Sequence, residues 1–183
     1  MPSVAEILEH ELLESAIVVA GHAGLHREVR WVHNSGVPDA ANWLNGGELV
    51  MTTFINMPDN EAEQRAYIQQ MAEKDVAGLA ITIGRYIDAV PDYLRETADA
   101  CAFPLIEIAY TARFVDIAKA INERISESSL HMARRALTIH QTLTNLVLEG
   151  GGLPHLAERL AELLGHSVSI ENDRFDAIAT HNI

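Results

Sequence analysis

Short apolar runs alternate with helical stretches through the first 113 residues, and this alternation constrains the fold of the chain more than any other feature. The five apolar runs are residues 17–20, 29–32, 48–53, 78–83 and 105–108. The helical stretches between them are residues 38–44, 60–74 and 91–100. Buried strands joined by helical crossovers form parallel sheets. The pattern therefore predicts an α/β fold with a mostly parallel sheet flanked by helices.

The ends of two predicted helices have their own signals. Residues 4–13 have apolar spacing typical of a helix, and Ser3 with Glu6 three positions later is typical of a capping box. Asn60 and Glu63 have the same spacing before the second stretch. These pairs predict where both helices begin.

A different pattern runs from residue 115 to residue 148, which contains no Gly or Pro. Apolar residues recur there every seven positions, with weaker positions interleaved, as in a coiled-coil seam. The helix can pack this seam on its own domain or on a second copy of the chain. The second interpretation predicts a homodimer through Ile125, Met132, Ala136, Ile139, Leu143 and Leu146.

Three segments follow from these patterns. Residues 1–113 are predicted to form the α/β domain, 114–149 a linker and dimerisation helix, and 150–183 the start of a middle domain. The last segment has a helical pattern at 153–164 and strand patterns at 166–170 and 175–180. So short a segment cannot bury a proper core, which predicts a truncated chain.

Charge and composition exclude several functions. The formal net charge is −13, whereas DNA-binding surfaces are usually basic, so the sequence predicts no DNA contact by this segment. No apolar run is long enough for a membrane span, and the acidic start does not resemble a secretory signal, which predicts a cytoplasmic protein. The single Cys101 cannot form an internal disulfide, and we interpret it as a small buried residue.

Signatures of catalysis are missing from the sequence. It contains no HExxH, G-x-S-x-G, P-loop, CxxC or G-x-G-x-x-G motif. His22 and His26 lie among glycines, which indicates a turn and not a metal-binding helix face. We therefore expect no catalytic residues, no metal and no cofactor, and predict that the chain is not an enzyme.

Hydrogen-bonding residues gather where the predicted strands end. Ligands in open α/β sheets bind at the carboxyl ends of the strands, so these residues predict a cleft for a small molecule. The predicted ligand residues are His33, Asn34, Thr52, Thr53, Phe54, Gly84, Arg85 and Glu107. Arg85 suits an anionic group, the two threonines suit neutral hydrogen bonds, and His33 suits a polar or aromatic contact. The alternative for each residue is ordinary turn or surface chemistry.

Several motifs resemble the PucR-type (purine catabolism regulator-like) sensor domain. They are SVAEILEHELLESAIVVAG, VRWVH, LNGGELVMTT, VAGLAITIGRYIDAVPDYL and FPLIEIAYTARFVDIAKAI, in this order over about residues 1–125. GGELVMTT followed by AGLAITIGRY is the specific pair. The residues from 130 onward resemble the family's linker helix and the start of its middle domain.

The resemblance implies a bacterial regulator of catabolic genes that binds a metabolite effector and signals through the helix. It also implies that DNA is bound only by a C-terminal helix-turn-helix segment absent from this chain. Two residues depart from the expected pattern: Gly36 stands where members often have Glu, and Phe54 where they often have Gly. These departures predict a flat apolar or aromatic ligand. The competing interpretation is an interaction and dimerisation module without a ligand, and an α/β enzyme would need a nucleophile and base that the sequence lacks.

Overall fold

The computed structural model describes residues 1–148 and 150–182, and only the backbone of Ser129 and His131. The chain forms two compact units, Met1–Ser129 and Leu130–Ile183, which are described separately below. Glu149, the last residue of the predicted linker segment, and Ile183 lie outside the described residues.

The first unit is built on one five-stranded sheet. Its strands are β1 (Ile17–Ala20), β2 (Trp31–Asn34), β3 (Glu48–Thr52), β4 (Gly78–Ile83) and β5 (Leu105–Ala109). Its helices are α1 (Val4–Leu8), α2 (Glu61–Glu73), α3 (Asp92–Ala100) and the beginning of α4 (Phe114–Leu148). The strand order is β1-β5-β4-β3-β2, with β2 to β5 parallel and β1 antiparallel to β5. The predicted α/β fold with a mostly parallel sheet is confirmed.

Three predicted elements differ from the observed ones near the start of the chain. The strand expected at 29–32 begins at Trp31, because the Val29 N–H donates to the Pro2 carbonyl at 2.8 Å instead of joining the sheet. The helix expected at 4–13 ends at Leu8, and the stretch expected at 38–44 is only a short 3₁₀ helix, Ala40–Trp43. The capping box of Ser3 and Glu6 is confirmed.

The sheet of the first unit has an apolar layer on each side. One layer, here called the α2–α3 face, packs Val50, Ile81 and Leu105 against those two helices. The other, the α1–α4 face, packs Met51 and Ile106 against α1 and α4. Successive side chains of a strand point to opposite faces. A sheet covered on both sides explains why the inner strands β3, β4 and β5 are largely apolar.

The loop after β1 passes very close to another loop. Gly21 has φ +70°, and a Cβ built on it would lie 1.9 Å from the carbonyl oxygen of Phe103. Its N–H donates to Asp99 Oδ1 at 2.6 Å, and a short 3₁₀ helix, His22–Gly24, follows. The predicted turn around His22 is confirmed.

The long helix is continuous from Phe114 to Leu148, close to the predicted 115–148. Its first part belongs to the first unit, where Ile117, Ile121 and Ile125 are buried on the α1–α4 face. Asn122 Oδ1 accepts a hydrogen bond from the N–H of Val32 at 2.9 Å. In this part of α4, the apolar seam packs on its own domain. Ile125, predicted as a dimer residue, belongs to this internal packing.

The second unit contains the rest of α4 together with α5 (Leu153–Leu164), β6 (Val168–Glu171) and β7 (Ala177–His181). The predicted helix 153–164 is confirmed, and both strands of the predicted hairpin are present with shifted bounds. Among the described residues of this unit, the buried apolar ones are Ala157, Ala161 and Ala179. Of the predicted dimer seam, Met132 and Ala136 are exposed, whereas Ile139, Leu143 and Leu146 are half-buried.

Among the described residues, no helix combines the length and the apolar character that crossing a membrane requires.

Candidate ligand site at the carboxyl edge of the sheet

The parallel strands bring most of the predicted ligand residues to one edge of the sheet. Asn34 ends β2 and Thr52 ends β3, while Gly84 and Arg85 directly follow β4. Because β2, β3 and β4 are parallel, their carboxyl ends share this edge. The edge therefore has the position at which α/β sheets bind ligands.

The two faces of the sheet divide the predicted set. His33 pairs with Val50 and Thr52 with Ile81, so both belong to the α2–α3 face. Asn34 pairs with Met51 and belongs to the α1–α4 face. His33 and Asn34 are exposed on the edge strand. Side chains on opposite faces of the sheet can line one cleft only if that cleft extends around the ends of the strands.

Glu107 has a partner within the fold. It lies in the middle of β5, where Oε1 accepts a hydrogen bond from the Val90 N–H at 2.8 Å. The same oxygen lies 3.5 Å from Arg95 of α3, and the side chain is 17% exposed. These contacts fasten the segment before α3 to the sheet. The expectation that Glu107 stands at a strand end is wrong.

Thr52 and Phe54 form a tight turn at the end of β3. Thr52 is buried, and its Oγ1 accepts a hydrogen bond from the Phe54 N–H at 3.2 Å. Phe54 has φ +66°, in the left-handed region that favours glycine. The residue is 9% exposed, and it packs in the core of the α2–α3 face. The positive φ explains why glycine suits this position. The Phe54 ring fills the core, so it does not line an open cleft. Thr53 beside them is half-buried.

Arg85 sits in an aromatic cluster at the same edge. Its guanidinium carbon lies 5.5 Å from the ring centre of Tyr86 and 5.0 Å from that of Tyr110. The two rings meet edge to face with centroids 6.0 Å apart. Gly84, with φ +105°, turns the chain out of β4 into this cluster.

The charge of Arg85 has no partner within the described residues. It forms no ion pair there, and neither does Arg30. The other arginines of the first unit are paired with carboxylates, except Arg124, which donates to a carbonyl. Cations over aromatic faces are attracted to the ring and remain able to bind anions. The sequence predicted Arg85 as a ligand residue but not Tyr86 or Tyr110. Tyr86 follows Arg85 directly, and Tyr110 follows the predicted fifth strand, so both could have been placed at this edge.

A buried hydroxyl adds to the polar character near this edge. Thr82, the penultimate residue of β4, is 2% exposed, and its Oγ1 has no hydrogen-bond partner among the described residues. A buried polar atom without a partner is costly, and each one in a native fold needs an explanation. No group of three or more potential metal-ligating side chains exists among the described residues.

The comparison with protein families identifies the class of protein. The model of the purine catabolism regulatory protein-like (PucR) family matches residues 6–125, which is more than half of the chain. The match covers the whole sheet and the first part of α4. The chain belongs to this family.

Two characterised relatives carry names that describe regulation. The purine catabolism regulatory protein of Bacillus subtilis (strain 168) is 32% identical over 162 residues, which are 88% of this chain and 30% of that protein. The transcriptional activator PmfR of Paenarthrobacter nicotinovorans is 30% identical over 104 residues, 57% of this chain and 22% of that protein. The chain thus spans less than a third of the length of either relative.

Proposed function

We propose that this chain is the effector-sensing part of a transcriptional regulator of catabolic genes. The sensor binds a small metabolite at the carboxyl edge of the sheet, and α4 transmits the signal in a homodimer. DNA is bound by a C-terminal segment beyond residue 183, and the protein acts in the cytoplasm. Family membership and the names of the two relatives support this proposal.

The observation that carries the proposal is the unpaired Arg85 between Tyr86 and Tyr110. A guanidinium in this setting suits a flat anion, because the anion pairs with the charge while its ring packs on the tyrosines. A small anionic metabolite with a planar ring is the effector class that this cluster fits. The absence of a catalytic constellation in the sequence favours sensing over turnover.

The position of the cluster suggests how binding reaches α4. Tyr110 directly follows β5, and α4 begins four residues later at Phe114. A ligand on Tyr110 therefore lies next to the first turn of α4. Binding shifts the equilibrium between two arrangements only if the ligand has different affinities for them. The proposed mechanism is such a shift at the start of α4.

The test is a thermal-shift screen of the chain against urate, xanthine and benzoate, with alanine and an alkyl amine as non-matching ligands. A planar anion should raise Tm, by an amount that follows mass action. Arg85→Ala should weaken that binding roughly tenfold, because a charge-assisted contact is lost.

The matched control is Arg113→Ala, which removes an arginine that is 74% exposed and ion-paired with Asp116. It should bind the planar anion as the unmodified chain does. No stabilisation by any planar anion, or equal weakening by both variants, would contradict the assignment of Arg85. A folded chain that binds nothing in the panel would favour the interaction-module alternative.

A further inference from the structure

A cavity whose lining shares no residue with the Arg85 cluster lies against α2. Its volume is about 270 Å³, and it is an open depression bordered by the loops after β2 and before α2 and by one face of α2. The residues that line it are Pro38, Asp39, Pro58, Glu63, Ala66, Tyr67 and Gln70. The four lining residues of α2 follow the i, i+3, i+4, i+7 spacing of a single helix face. None of the eight predicted ligand residues is among them.

Tyr67 gives this cavity an unused hydrogen-bonding group. The residue is 2% exposed and its ring packs in the core of the α2–α3 face. Tyr67 lines the cavity, and its hydroxyl forms no hydrogen bond with a described residue, whereas the Tyr93 hydroxyl on α3 donates to Gln64. The Tyr67 oxygen is not one of the fully buried atoms without a partner, so a ligand in the cavity can reach it. Burial raises the pKa of the Tyr67 hydroxyl well above its usual range, so the group stays neutral. An accessible phenol can donate a hydrogen bond or accept one, so it can contact a ligand in the cavity.

The charged groups that line the cavity are both acidic. Glu63 forms no ion pair among the described residues, and only one oxygen of Asp39 is engaged, by the indole N–H of Trp43 at 3.3 Å. Arg65 on the same helix is directed to Glu61, Glu96 and Thr97, away from this lining. Two carboxylates without a cation favour a positively charged ligand.

We propose that this cavity binds a compact ammonium ligand with a short apolar body. The ammonium donates to the carboxylates of Glu63 and Asp39 and to the oxygen of Tyr67. The apolar part lies against Pro38, Pro58 and Ala66. A volume of about 270 Å³ admits a small ligand such as an alkylammonium, and the site shares no residue with the anion site at Arg85.

The experiment is an NMR titration of the ¹⁵N-labelled chain with n-butylammonium, at constant ionic strength. Butanol and butyrate, which share the alkyl body, serve as neutral and anionic probes. Butylammonium should produce saturable shifts of the amides of residues 63–70, and the other two probes should not. Tyr67→Phe and Glu63→Gln should each weaken binding about tenfold, as expected for a lost hydrogen bond to a charged group.

Matched controls separate this site from general attraction of cations to an acidic chain. Tyr93→Phe removes a hydroxyl outside the cavity, and Glu73→Gln removes a carboxylate of the same helix outside it. Both variants should leave the affinity for butylammonium unchanged. Arg85→Ala should also leave it unchanged, so the ammonium site and the effector site are tested independently. Absence of saturable shifts, an unchanged affinity in Tyr67→Phe, or equal weakening in Glu73→Gln would overturn the ammonium site.

Discussion

The first compact unit buries large apolar side chains on both faces of its sheet, whereas the second buries three alanines among its described residues. Both units leave some large apolar residues in solvent, such as Trp43 at 74% in the first and Phe175 at 85% in the second, but only the first also buries many of them. Apolar burial is the main favourable term in folding. The contrast indicates that the first unit is stable by itself, while the second depends on additional contacts for much of its stability.

The strongest test of this contrast compares two leucines. Leu79→Ala, at a fully buried position of β4, should lower the free energy of unfolding of the first unit by about 3 kcal/mol. Leu164→Ala, at a position that is 47% exposed in the second unit, should cost less than about 1 kcal/mol. Urea unfolding followed by tryptophan fluorescence measures Leu79→Ala, since the only tryptophans, Trp31 and Trp43, lie in the first unit. Amide hydrogen exchange of α5 measures Leu164→Ala. Similar costs at the two sites would mean that the units are equally well packed.

Two glycines with the same backbone conformation sharpen the comparison. Gly21 and Gly165 both have φ +70°, but an added Cβ meets the Phe103 carbonyl at 1.9 Å in the first case and nothing within 4 Å in the second. Gly165→Ala should cost only the conformational penalty, roughly 1 kcal/mol. Gly21→Ala should cost more than about 2 kcal/mol, because loop displacement adds to that penalty. Fluorescence-detected unfolding measures Gly21→Ala, and amide hydrogen exchange of α5 measures Gly165→Ala.

The smallest effect on stability is expected at the exposed side of α4. Met132→Asp should change the free energy of unfolding by less than about 0.5 kcal/mol, because the side chain is mostly in solvent. If α4 pairs with a second copy through the predicted seam, the same change should convert a dimer into a monomer in sedimentation velocity. The control is Gln141→Asp, at an exposed position of the same helix outside that seam. A dimer that survives Met132→Asp would exclude this seam as the interface.

Much of the architecture could be read from the sequence because period and length are local signals. The β4 run and the helix at 153–164 were predicted with their observed bounds. The start of β2 was not predicted correctly, because the hydrogen bond between Val29 and Pro2 joins segments that are distant in the sequence. Element boundaries depend on such contacts more than the existence of an element does.

The candidate site was predictable in position but not in orientation. The sequence placed Thr52 and Arg85 at strand ends, and the parallel sheet brings those ends to one edge. It could not show that Phe54 turns its ring into the core, or that Glu107 is engaged by Val90 and Arg95. Tyr67 was missed because its cavity exists only where loops from two parts of the chain meet α2. Whether the eight predicted residues bind a ligand stays a prediction.

The hydrogen bond from the Val32 N–H to Asn122 also affects how readily the edge of the sheet can aggregate with other chains. β2 is an outer strand, and an outer strand offers unpaired N–H groups on which foreign chains can nucleate aggregates. Asn122 occupies one of those groups with an amide carried on a helix, which a neighbouring polypeptide cannot easily displace. The proposed signalling helix α4 therefore also hinders the addition of a foreign strand to β2.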